Sequence, residues 1–152
     1  MSSGQQTPRK DFEAGPRTRP PGMLCLQSRH DARDTMDRLV ASVVARDMTV
    51  FARIDHSLGA AEAGQSLRPT ELLIFGNARA GTPLMQAAQS IGIDLPLKAL
   101  VWRDASGTAW LGYNDPDWLT RRHGAASAAA SVVDAMREAL AGVAREATGH
   151  EE

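Results

Sequence analysis

A chain of 152 residues, 43% of them hydrophobic, closes a single core of ordinary size and leaves no room for a second domain. Lys and Arg number 17 against 18 Asp and Glu, so no global charge draws the protein to nucleic acid or to an anionic membrane. The lone Cys25 excludes an intrachain disulfide, no apolar run approaches the roughly 18 residues of a membrane span, and the polar, proline-bearing start is unlike a signal peptide; a cytoplasmic protein is expected.

Residues 1–21 carry four basic and two acidic side chains and little that could be buried, so they are expected to form a disordered arm. The remaining 13 basic and 16 acidic residues leave the folded part mildly acidic. The run MLCLQ after Gly22 predicts a strand. From Asp31 to Arg46, Met36, Leu39, Val40, Val43 and Val44 form one amphipathic stripe, with Ser28 as the expected N-cap. Residues 48–54 alternate, which predicts a strand with Met48, Val50, Ala52 and Ile54 on one buried face. A short alanine-rich helix over Ser57–Gln65 and a strand over Leu72–Phe75 follow.

Thr82-Pro83 supplies a hydroxyl cap and a proline at the first helical position, predicting a helix through about Gln89. LKALVWRD and TAWLGYN flank Ala105-Ser106-Gly107, a hairpin signal, and here Trp110 and Gly112 share one face while Leu111 and Tyr113 share the other. Asp115-Pro116 opens a helix that Gly124 closes, and a last helix runs over roughly 126–147. The hairpin implies antiparallel pairing, which argues against a doubly wound parallel sheet.

Few of these residues suggest chemistry. The segment Gly76 to Pro83 has the G-x-x-x-x-G-T spacing of a phosphate-binding loop but lacks its lysine, so it reads first as a structural turn and second as an anion nest. Asp55 and His56 follow a strand, and His123 ends a short helix. Two imidazoles and a carboxylate suit a metal or an acid–base pair if the fold unites them, although their spacing matches no zinc signature and each has a separate structural explanation. Cys25, within an apolar strand, reads as an inert small hydrophobe.

Several ordered blocks carry a resemblance: Ile54-Asp55-His56, Phe75-Gly76-Asn77, Gly81-Thr82-Pro83-Leu84-Met85, Asp94-Leu95-Pro96-Leu97-Lys98, Tyr113-Asn114 and Arg122-His123-Gly124. Over residues 22–124 the chain resembles the domain of unknown function 302 family. Ala78 stands where that family commonly has proline after the Gly-Asn pair. The resemblance implies a small α+β domain of the TATA-binding-protein-like class, with a curved antiparallel sheet of about five strands, helices mainly on one face, and dimeric pairing. It implies no reaction and names no cofactor.

The expected organisation is therefore an arm at 1–21, a domain at 22–124, a C-terminal helix at 125–148 and a tail at 149–152. The leading functional expectation is a homodimeric binding or interaction module with a small-molecule pocket bounded by Asp55, His56, Asn77 and His123, and with neither nucleic acid nor membrane as partner. The alternative is an enzyme or metal-handling protein in which His56 or His123 serves as base or ligand and Asp55 orients an imidazole.

Overall fold

In the computed structural model, which describes residues 19–125 and 130–150, five strands form one antiparallel sheet in the order β1-β5-β4-β3-β2. The strands are β1 (Met23–Gln27), β2 (Thr49–Asp55), β3 (Thr70–Gly76), β4 (Leu97–Arg103) and β5 (Ala109–Asn114). The helices are α1 (Ala32–Ala45), α2 (His56–Glu62), α3 (Ala78–Ala87), α4 (Pro116–Arg122) and α5 (Ala130–Thr148), with a 3-10 helix at Gln89–Ile93 between α3 and β4. The expected α+β architecture is present. The expected arm lies almost wholly outside the described residues, as do the first residues of the expected last helix.

Strand periodicity decides which side chains enter the core. Leu73 and Phe75 of β3, Leu97, Ala99 and Val101 of β4, and Leu111 and Tyr113 of β5 point to one face, where they join Met36, Leu39 and Val43 of α1 and Met136, Leu140 and Val143 of α5. Each large side chain buried there contributes about 1.5–3 kcal/mol relative to leaving it exposed. The opposite face carries Leu72, Ile74, Leu100 and Trp102, all only half-buried and apart from the core.

Four local expectations need correction. The N-cap of α1 is Asp31, whose side chain accepts from the Asp34 N–H, while Ser28 is buried with its hydroxyl 2.6 Å from Thr35 Oγ1. In β2 a bulge separates Val50, paired with Phe75, from Ala52, paired with Ile74. That extra residue moves Ala52 and Ile54 to the open face, so β2, an edge strand, has no single buried face.

The helix expected from Thr82-Pro83 begins earlier. Asn77 caps α3 by accepting from the Arg79 N–H at 2.8 Å, leaving Pro83 inside the helix, where its missing N–H removes one backbone bond. Gly81 is consequently a buried helical residue, and the Gly76–Pro83 segment is a strand end running into a helix.

The hairpin and the α4 caps follow expectation. Gly107 adopts φ +87° in the β4–β5 turn, and Gly124 adopts φ +70° after α4, conformations that favour glycine. Asp104 organises the turn: its carboxylate accepts from the N–H groups of Ser106 and Thr108, each at 3.0 Å, and from Trp110 Nε1 at 2.9 Å. The hydrogen bond from Trp110, followed by those from Ser106 and Thr108, lowers its pKa to about 2.

Candidate functional site

The four residues expected to bound one pocket occupy different parts of the sheet. Asp55 pairs with Glu71 at one end of β2, whereas Thr49 at the other end pairs with Gly76, the residue before Asn77. The length of the seven-residue strand, on the order of 20 Å, therefore separates Asp55 from Asn77. Asp55 caps α2 by accepting from the Leu58 N–H at 2.9 Å and from Ser57 Oγ at 2.6 Å. Those bonds, led by the Ser57 hydroxyl, hold its carboxyl below the usual range. His56 is exposed at the first position of α2.

His123 stands at the same end of the sheet as Asn77, where α4 meets the 3-10 helix. Its Nε2 lies 2.5 Å from Asp94 Oδ2, and its Nδ1 lies 2.8 Å from Ser90 Oγ. Arg122 Nη1 reaches both Asp94 oxygens, at 2.9 and 2.8 Å. Burial acts to raise the Asp94 pKa, but the His123 hydrogen bond and the Arg122 charge outweigh it and keep the carboxyl below its ordinary value. Asp94, not Asp55, is thus the carboxylate that orients an imidazole.

Two clefts among the described residues bear on the expected site residues; a third, of 350 Å³, lies apart from them, between Arg19–Leu24 and Asp115, Trp118 and Arg121. The larger of the two, of 930 Å³, opens between the start of α1, the end of β2 and the hairpin, and includes Asp31, Asp37, Arg53, Asp55, Glu71 and Arg103. Much of its charge is internally paired: Arg53 Nη1 lies 2.8 Å from Asp37, and its Nε and Nη2 lie 2.9 and 3.2 Å from the two Glu71 oxygens. These ion pairs cross from α1 to β2 and β3 and fix the wall. They are exposed pairs of the kind that contributes little to stability.

The smaller of the two, of 360 Å³, is apolar. Met48, Phe51, Met85, Leu95 and Met136 provide side chains from the β2 edge, α3, the loop before β4, and α5, with Asn77 as its polar rim. The bulge in β2 accounts for Phe51, which is 55% exposed rather than paired into the sheet register. Thioether side chains adapt to differently shaped apolar groups, so three methionines make a deformable lining. Sequence spacing missed this cleft because its residues come from four separate segments. The methionine in Gly81-Thr82-Pro83-Leu84-Met85 and the Leu95-Pro96 pair are the signals that mark it.

Among the described residues no group of three or more His, Cys, Asp or Glu side chains is placed to hold a metal ion. Cys25 is buried, and burial raises its thiol pKa, which suits the inert role expected of it. No helix among the described residues is long and apolar enough to cross a membrane.

Known proteins place the chain in a wider setting. It is 44% identical over 128 residues to the Fluoride-specific ion channel FluC 1 of Brucella suis biovar 1, covering 84% of this chain and 50% of that protein. The identity is also 44% to the Fluoride-specific ion channel FluC 1 of Brucella abortus biovar 1, of which 47% is covered. The chain thus spans about half the length of the curated relatives it matches. Its fold matches the crystal structure of the uncharacterized conserved protein DUF302 from Bacillus stearothermophilus with a TM-score of 0.74 at 17% identity, covering 84% of this chain and 99% of that one. The pattern of the domain of unknown function DUF302 matches residues 24–143, which takes in most of α5. With that span matched and the fold shared, the chain belongs to the DUF302 family.

Proposed function

We propose that the chain is a cytoplasmic, homodimeric module that binds a small apolar molecule in the cleft between α3, α5 and the β2 edge. The 360 Å³ methionine-lined cleft carries this reading, because sites for small molecules are typically concave, mostly apolar and equipped with few polar groups. Asn77 at its rim is the polar group retained from the expected pocket. The half-exposed face bearing Leu72, Ile74, Leu100 and Trp102 is the surface for a second copy.

Ala135 lines the cleft and is exposed on α5, so Ala135→Trp fills it at little cost to the core. The fluorescent probe 1-anilinonaphthalene-8-sulfonate is expected to bind the wild-type protein at least tenfold more tightly than the variant. Equal binding by both removes the cleft from the function. Sedimentation of wild type and Leu100→Asp at micromolar concentration tests the pairing: a 16.3 kDa species for both overturns it.

A second reading sets this domain beside a fluoride-specific ion channel, as a module that works with the channel. It is supported by the 44% identity to half of proteins bearing that name. Loss of the gene raising fluoride sensitivity supports this role, and unchanged growth at toxic fluoride removes it.

A further inference from the structure

Ser90, His123 and Asp94 form a hydrogen-bonded relay that belongs to none of these clefts. The imidazole is held between two partners, 2.5 Å from Asp94 Oδ2 on one nitrogen and 2.8 Å from Ser90 Oγ on the other. The His123 side chain is only 8% exposed and Asp94 16%, whereas Ser90 is open to solvent. An ionised carboxylate can only accept, so in the neutral imidazole Nε2 carries the proton and Nδ1 presents its lone pair to the Ser90 hydroxyl. Arg122, bonded to both oxygens of Asp94, keeps that carboxylate ionised and fixed. A nucleophile at the surface, a base in the correct tautomer and a carboxylate that orients the base are the three roles of a serine hydrolase relay, which is recognised by geometry rather than by chain order.

We propose that Ser90 is the nucleophile of a hydrolytic site for small carboxylic esters, with His123 as general base and Asp94 as the residue that positions it. Ser90 Oγ bonds to the ester carbonyl carbon as its proton passes to His123 Nδ1. The bond from that carbon to the alcohol oxygen then breaks, and Nδ1 returns the proton to the departing oxygen. Water attacks the seryl ester, gives a proton to Nδ1, and the Oγ–carbon bond breaks as that proton moves to Oγ. Ester and water become acid and alcohol, with no change of oxidation state. The exposed setting of Ser90 suits small esters that need no deep acyl pocket.

The probes are p-nitrophenyl acetate and an alkyl fluorophosphonate, applied to the full chain. Wild type is expected to hydrolyse the ester above the buffer rate and to take one phosphonyl group, mapped to Ser90 by mass spectrometry. Ser90→Ala changes only an exposed hydroxyl; it is expected to lose the label and to slow hydrolysis about 10²–10⁴-fold, the usual range for a positioned base and its nucleophile. Asp94→Asn is expected to keep the Ser90 hydroxyl but change the pH–rate profile, because the amide no longer selects the Nδ1 lone pair; a purely structural Asp94 leaves the profile unmoved. The proposal is overturned if wild type neither labels nor exceeds the buffer rate, if Ser90→Ala hydrolyses at the wild-type rate, or if the label maps elsewhere.

Discussion

Along β3 the side chains alternate between two fates. Leu73 and Phe75 are fully buried, while Leu72 and Ile74, equally apolar, stay half-exposed on the other face. Helices α1 and α5 make the difference, since they seal one face and leave the other outside the core. Apolar character brings both sets into the sheet, but only the covered set gains full transfer free energy and close packing. The open face is itself uneven. Near β1 and β5, Cys25 and Trp110 are 8% and 5% exposed, packed by their own neighbours, whereas the β3 and β4 side stays half-open.

The largest expected effect tests the two faces directly. Phe75→Ala, which empties a site in the sealed face, is expected to lower stability by about 3–5 kcal/mol in urea unfolding. Leu72→Ala, three residues away in the same strand but on the open face, is expected to cost about 1 kcal/mol at concentrations where the chain is monomeric. Equal losses there would show that the open face packs as tightly in the lone chain as the sealed one.

Gly112→Ala sharpens the contrast within the open face. A Cβ there would meet the Met23 methyl, Trp102 Cζ3 at 3.1 Å and Cys25 Sγ at 3.3 Å. Overpacking of this kind typically costs about 1–3 kcal/mol. A neutral Gly112→Ala in the same unfolding assay would mean that the packed end of the face yields as readily as the open end.

The smallest effect concerns the two ends of the sheet. The folded Asp94 carboxyl sits below its unfolded value, so its contribution is present above that value and lost as pH falls through the lower, folded one. Asp94→Asn is therefore expected to flatten the acid limb of the stability curve below about pH 4. Asp55 at the opposite end is also lowered, but by bonds within its own helix cap. Asp55→Asn is expected to leave the Arg122–His123 end untouched, read as an unchanged His123 imidazole NMR signal.

Much of this architecture was legible because local signals agreed with the final packing. The hairpin, the placement of Trp110 and Gly112 opposite Leu111 and Tyr113, and the Asp115-Pro116 start of α4 are each decided within a few residues. The errors arose where two local signals competed. Asn77 outranked Thr82 as a cap, so α3 started five residues early, and the bulge at β2 broke an alternation that looked regular. The candidate residues were legible only singly. His123 was visible as a residue at an element's end, but its partners Asp94 and Ser90 lie 29 and 33 residues away, a distance that spacing cannot bridge.

The packing of α5 onto α1 has a consequence for how the chain comes into being. Ser42 and Glu146 hydrogen-bond across 104 residues, Arg46 joins the same carboxylate at 2.7 Å, and the Arg29 N–H donates to the Thr148 carbonyl. The apolar stripe of α1 leaves the ribosome with the greater part of its cover still unmade. At roughly 5–20 residues per second, that interval lasts about 5–20 s. A contact of such sequence separation also carries a loop-closure cost before it returns any burial. Until the sheet and then α5 arrive to close over them, Met36, Leu39 and Val43 form a greasy strip on a nascent chain, and newborn copies crowded on one messenger are each other's nearest hazard.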